Sequence, residues 1–374
     1  MMLANMGADV YKVEKPAGDD SRTYGPFIND SSVFFLSVNR GKKSVICDTK
    51  TEEGKRIFIE LVKKMDVVVE NLKPGAMARM GLGYEDLKKI NPQLIYVAIS
   101  GFGHSGPYSA RPCYDLIVQA MGGIMSITGE PGGKPVRVGS SIGDIIAGLF
   151  GAFGTVNALY ERLLTGEGQM VDVAMLDCQI AILENAIARF SGTGQVPGPM
   201  GLRHPSITPF EAFKTRDSYI IAACGNDNFF KRLCDVIGMP ELVDVPDYDT
   251  NQNRNLHVEE LSAIIQEKML QRDTSEWMEL LLEAEIPCGP INTIDKLFED
   301  PQIKARNMLV EVDQPKMGRI AVAGNPIKLS TMSAAEENPE LPAPGLGDHT
   351  KEVLQTLLGL SEEDAEAYVA SLPS

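Results

Sequence analysis

"EEGKRIFIELVKKMDVVVENLKPGAMARMGLGYEDLKKINPQLIYVAIS", residues 52–100, decides the fold class. Its first part has helical spacing: Ile57, Leu61 and Val62 fall on one side, with acids leading and bases trailing, which predicts a helix over 52–65. "DVVVE" (66–70) and "LIYVAIS" (94–100) are solid apolar runs. Between them, Lys73-Pro74-Gly75 marks a turn and 84–90 a second helix. Apolar strands alternating with helices indicate a mainly parallel sheet covered on both faces. Upstream, "ADVYKVE" (8–14) and "KSVICD" (43–48) are further β-rich runs. Downstream, 145–164 reads as a long buried helix, "MVDVAML" (170–176) as a strand and 177–190 as another helix.

The expected architecture is α/β, with a Rossmann-like large domain over 1–190 and again over 301–374. The Gly/Pro-rich "SGTGQVPGPMGLRHPSITP" (191–209) reads as a linker or functional loop, because it suits neither a helix nor a central strand. The stretch 210–300 reads as a smaller α+β domain. In the return, strand patterns resume over about 305–323, "EENPELPAPGLGDH" runs extended, and "KEVLQTLLGL" closes as a helix.

The chain has 374 residues, a net charge of −16 and 44% apolar residues, enough for a large core in two domains. Such acidity argues against general nucleic-acid binding. It leaves room for an anionic small ligand, since Arg40, Lys42 and Lys43, and Lys73 with Arg79, form local basic clusters. No stretch approaches eighteen uninterrupted apolar residues, and "MMLANMGADVYKVEKP" lacks the features of an export signal. Cys47, Cys113, Cys178, Cys224, Cys234 and Cys288 lack CxxC spacing, and the four histidines lie apart. Reduced thiols in a cytoplasmic protein with no metal site are therefore expected.

One acid raises the chemical question. Asp144 stands where "VRVGSSIGDIIAGLFGAFGTVNAL" (136–159) turns apolar. An Asp there can cap a helix, its carboxylate accepting orphan N–H groups. Gly148, Gly151 and Gly154 follow at every third residue, each costing about 1 kcal/mol relative to Ala. Such a helix admits a close neighbour, either another element or a ligand. "PCYDLIVQAMGG" (112–123) sets Asp115 similarly before an apolar stretch, another possible cap. "RHP" (203–205) is either a surface turn or an anion clamp. "GFGHSG" (101–106) follows a strand but precedes Pro107 and Pro112, so no helix can begin there to meet a dinucleotide. His104 within it reads as an ordinary loop histidine.

Taken in order, these stretches resemble the class III CoA-transferases. The resemblance is carried by "GADVYKVEKPAGDDSR" (7–22), "NRGKKSVICDTKTEEGK" (39–55), "ENLKPGAMARMGLGYEDLKKINPQLIY" (70–96), "SGFGHSGPYSARPCYD" (100–115), "SSIGDIIAGLFG" (140–151), "GEGQMVDVAMLD" (166–177), "IPCGPI" (286–291) and "GDHTKEVL" (347–354). "GLRHPSITPFEAFKT" (201–215) and "ACGNDNFF" (223–230) resemble most the oxalate branch and its dicarboxylate-using relatives.

The resemblance implies that Asp144 is a nucleophile, forming first a mixed anhydride and then an aspartyl-CoA thioester. It implies CoA contacts at Lys15, Cys47, Asp48, Thr49, Lys50, Asn71, Leu72, Lys73, Arg79 and Met80, with Tyr114 and Asp115 close to Asp144. Acyl-CoA would be a co-substrate, with no permanently bound cofactor. Arg137, Arg203 and His204 are candidates for an acceptor's second carboxylate. An interlocked homodimer is implied, threaded through extended linkers at about 191–209 and 300–345. Relatives begin with a further strand and turn, so part of the sheet and of the CoA site is expected to be missing ahead of "MMLANMG". An α-methylacyl-CoA racemase of the same fold and a non-catalytic CoA-binding protein are the alternatives. The racemases place a His where Tyr114 stands, which favours transfer.

Overall fold

The computed structural model describes residues 1–333, 336 and 339–372. Glu337 and Asn338, within the expected extended stretch, lie outside the described residues, as do Ala334, Ala335, Pro373 and Ser374. Contacts divide the chain into two units: 1–123, 139–184 and 300–374 form the first, and 124–138 with 185–299 the second.

In the first unit, β1 (Tyr11–Glu14) pairs in parallel with β2 (Lys43–Ile46). Then follow α1 (Glu52–Val62), β3 (Val67–Glu70), α2 (Tyr84–Ile90) and β4 (Ile95–Ser100). Helices α3 (Asp115–Met121) and α4 (Ile142–Thr165) lead into β5 (Met170–Ala174) and α5 (Met175–Ala181). Strands β3, β4 and β5 form a parallel sheet with β4 in the middle. Central placement explains why Ile95, Val97 and Ala98 have no exposure and why β4 is apolar on both faces. Helix α1 begins as its sequence suggests, with Thr51 Oγ1 accepting the Gly54 N–H at 3.0 Å and Glu52 and Glu53 in the first turn. Its Ile57, Leu61 and Val62 join Leu82, Leu87 and Leu94 in one core, each worth roughly 1.5–3 kcal/mol.

Gly54 is packed against the Asp48 backbone carbonyl so closely that a Cβ has no room. Gly54→Ala is therefore expected to cost roughly 1–3 kcal/mol by overpacking. Chemical denaturation checks this, and an unchanged midpoint would show that the 48–54 turn can yield.

Helix α4 corrects one expectation. It is not a buried helix: its core side is limited to Gly143, Ala147, Gly151, Thr155 and Ala158, while Ile145, Phe153, Val156, Tyr160 and Leu163 are exposed. Two of the three spaced glycines admit an element rather than a ligand. A Cβ on Gly151 would stand 2.7 Å from Ile99 Cδ1, and one on Gly154 2.8 Å from Val171 Cγ1, both side chains of the sheet. Gly148 has open space beside it. With 24 residues and a mean hydropathy of 1.5, α4 has the length and apolarity of a membrane span, and its small-residue side is nevertheless laid on β4 and β5.

The predicted helix over 177–190 is also interrupted. Helix α5 stops at Ala181, Glu184 takes the left-handed region at φ 52°, and α6 (Ala186–Thr193) starts anew. In the second unit, β6 (Phe210–Lys214), β7 (Tyr219–Ala223) and β8 (Cys288–Pro290) form an antiparallel sheet. Helices α7 (Asp227–Val236), α8 (Val258–Met269) and α9 (Thr274–Glu283) share its core around Phe213, Phe230 and Trp277. Back in the first unit, β9 (Leu309–Gln314) and β10 (Gly318–Ala323) form a hairpin. Helices α10 (Thr350–Thr356) and α11 (Glu362–Ser371) then close the α1 core with Leu354 and Tyr368.

Candidate active site

Parallel strands bring their carboxyl ends to one edge, where open α/β sheets bind ligands. Lys15 follows β1 and Cys47–Lys50 follow β2, so the register Glu14 to Ile46 sets these two segments side by side. Asn71–Lys73 follow β3, and Asn71 Nδ2 donates to the Ile99 carbonyl on β4 at 2.6 Å. Thr49 Oγ1 lies 3.9 Å from Met80 Sδ, joining the turn after β2 to the stretch after β3. Lys50, Leu72, Lys73 and Arg79 are exposed along this edge. Lys15 is exposed too, and its ammonium bonds Asp20 at 2.7 Å, which raises its pKa. Cys47 is different. Its thiol is buried, donates to the Gly54 carbonyl at 3.0 Å and is pushed up to about 11 by desolvation, so this side chain belongs to the core.

Beyond β4, residues 101–114 run through bends and turns, and no helix starts at "GFGHSG". Gly101 packs on Cys113, immediately before Tyr114 and Asp115 at the start of α3. Tyr114 is 78% exposed. Asp115 is buried, and both its oxygens are engaged: Oδ1 accepts the Gly143 N–H and Oδ2 the Gln119 amide, each at 2.8 Å.

Asp144 is not the cap of its helix. Ser141 holds the N-cap position without a side-chain bond, and Asp144 sits in the first turn. Its carboxylate accepts no hydrogen bond among the described residues and has access to solvent. Surrounding protein atoms still desolvate it, and the nearby Asp115 charge adds to this, so its pKa is raised above the ordinary aspartate value. Cys113 stands near enough for the Asp144 charge to contribute, after burial, to a raised thiol pKa.

The remaining candidates belong to the second unit. Arg203 Nη1 bonds Glu259 Oε1 at 3.0 Å, although that glutamate side chain is 88% exposed. His204 stacks on Phe210 with ring centroids 5.1 Å apart, and its Nδ1 accepts the Ser206 N–H, as a turn residue would. Arg137 donates from Nε to the Val138 carbonyl at 3.0 Å. Sequence reading passed over Arg189, which with Arg203 lines a cleft of about 350 Å³.

It also passed over the surroundings of His104. That residue's N–H bonds Asp172 at 2.9 Å, and its Nε2 lies 3.7 Å from Glu70, whose pKa is raised by burial. Glu70 ends β3 and Asp172 lies in the middle of β5, so spacing along the chain could not reveal the group. Among the described residues, no three His, Cys, Asp or Glu side chains are grouped to hold a metal ion.

Residues 1–350 match the profile of CoA-transferase family III. The chain is 43% identical over 343 residues to an acetyl-CoA:oxalate CoA-transferase from Acetobacter aceti, covering 91% of this chain and 87% of that one. It is 41% identical over 364 residues to a succinate–glutarate CoA-transferase from Agrobacterium fabrum, covering 95% and 90%. Among solved structures, a CAIB/BAIF family protein from Brucella suis is 39% identical with a TM-score of 0.83, covering 95% and 93%.

Proposed function

Because the chain belongs to CoA-transferase family III, we propose that it moves CoA from an acyl-CoA thioester to a small dicarboxylic acid, with Asp144 as nucleophile. The observation that carries this reading is the state of Asp144, a solvent-accessible but partly desolvated carboxylate at a helix start with both oxygens unclaimed by described residues. The Asp144 carboxylate attacks the thioester carbonyl, the C–S bond breaks, and CoA leaves as a thiolate from a mixed anhydride. The thiolate then attacks the aspartyl carbonyl of the anhydride, releasing the donor acid and leaving aspartyl-CoA. The acceptor carboxylate repeats the exchange in reverse order and departs as a new thioester, regenerating Asp144.

Holding carboxylate and thioester together contributes roughly 7–11 kcal/mol, which offsets the weak nucleophilicity of a carboxylate. Lys15, the 47–50 turn, Asn71–Lys73, Arg79 and Met80 hold the nucleotide and pantetheine, with Tyr114 beside the reacting thioester. Charge-assisted contacts of about 1.5–3 kcal/mol each offset the acidic background. A dicarboxylate acceptor is supported by the oxalate and glutarate enzymes among the relatives. Acyl-CoA donors offered against mono- and dicarboxylates, with products read by mass spectrometry, test the assignment. Exchange of CoA onto dicarboxylates supports it, and no exchange onto any acid overturns it.

Attack needs the ionised carboxylate, and burial with the Asp115 charge raises the Asp144 pKa. The fraction ionised therefore falls at a higher pH than for an ordinary aspartate. The acid limb of kcat/KM is expected above the ordinary aspartate range, since that parameter reports free-enzyme ionisations. A limb at or below that range would contradict the desolvated-nucleophile reading.

The protein is further read as a cytoplasmic, interlocked homodimer with a large CoA-binding and a small domain. The exposed apolar side of α4, from Ile145 to Leu163, supports a partner subunit there. Such a dimer persists on dilution unless it unfolds. Mass photometry at nanomolar concentration is expected to show dimers only, and a folded monomer would contradict the interlocking.

A further inference from the structure

We propose that Asp115 is a positioning residue that caps α4 from the neighbouring helix α3 and thereby leaves Asp144 free to react. The inference rests on the reading of Asp144 as nucleophile. A helix start leaves its first N–H groups without intrahelical partners. An acid at the third helical position, where Asp144 stands, can fold back onto the N-cap N–H and satisfy one of them. Asp144 does not, and Ser141 does not supply a side-chain cap either. Asp115 Oδ1 takes the Gly143 N–H instead, at 2.8 Å. Its other oxygen is fixed by Gln119 Nε2 at 2.8 Å, and that amide also approaches the Ser140 carbonyl at 3.5 Å.

Asp115, Gln119 and Gly143 are all buried, so bulk water cannot replace these bonds. The joint is also closed sterically, since a Cβ on Gly143 would lie 2.7 Å from Val118 Cγ2 and 3.0 Å from Asp115 Oδ1. The residue after this anchored glycine is Asp144. Its direction is thus set from α3, and its lone pairs are not spent on its own helix.

The test measures kcat, KM for acyl-CoA and CoA affinity in the full chain. Asp115→Ala is expected to lower kcat at least thirtyfold, with KM and CoA affinity within about threefold. Asp115→Asn keeps an oxygen for the Gly143 N–H and is expected to recover kcat to within about fivefold of the wild type. Equal losses in both variants, or an Asp115→Ala kcat above a third of wild type, would overturn the proposal. If Asp115→Ala does not fold, Gly143→Ala disturbs the same joint from the α4 side. That variant must then lose at least tenfold in kcat with CoA binding kept, and near-normal turnover overturns the proposal. Asp144→Ala run alongside separates the two claims: activity surviving there defeats the nucleophile reading itself.

Discussion

Asp144→Ala is expected to lower transfer turnover by at least about a thousandfold while leaving CoA affinity within about tenfold of the wild type. The change removes the only atoms proposed to bond the acyl group and little surface that a nucleotide could touch. The Asp144 side chain has no hydrogen bond among the described residues, so no buried donor is orphaned and the fold should survive. Calorimetric CoA binding and an acyl-exchange assay check the two halves. Retention of more than about a tenth of wild-type turnover would remove Asp144 from the mechanism.

The second large effect concerns the acceptor. Arg203 lies in a cleft that Arg189 also lines, and its ion-pair partner Glu259 is almost wholly exposed. Pairs with a largely exposed partner contribute only about 0–1 kcal/mol, so if Arg203 receives an acceptor's second carboxylate, as proposed from the sequence, losing Glu259 would cost little. A charge-assisted bond to that carboxylate is worth about 1.5–3 kcal/mol. Arg203→Met is therefore expected to raise the dicarboxylate KM by roughly ten- to a hundredfold and to spare a monocarboxylate such as acetate. Equal loss for both acids would mean that Arg203 does not recognise the second carboxylate.

Between residues 52 and 100 the fold was legible because burial there is periodic: Ile57, Leu61 and Val62 pack as their spacing suggests, and β4 is buried on both faces. Helix α4 was legible in existence but not in burial. Apolar residues all around a helix look alike in sequence whether they face a core or a free surface, and here Phe153 and Leu163 face outward. The break after Ala181 was hidden because no Gly or Pro marks it; the turn is made by Glu184 at positive φ. For the site, Lys15, Cys47–Lys50 and Asn71–Lys73 were named as CoA contacts through the family resemblance alone, and the structure sets them directly after β1, β2 and β3. The cap of α4 was not legible, because it comes from Asp115, 28 residues earlier and on another helix. A tertiary hydrogen bond leaves no periodic trace, and the same holds for Glu70, His104 and Asp172.

Covalent chemistry at Asp144 is tested by incubating the protein with acyl-CoA in the absence of acceptor. It is then quenched in acid, digested, and the peptide spanning 138–162 is weighed. Added mass on Asp144 corresponding to CoA or to the acyl group is expected, removed when a dicarboxylate is supplied and absent from Asp144→Ala. An unmodified Asp144 under conditions where transfer proceeds, or the same adduct on another residue, would contradict it.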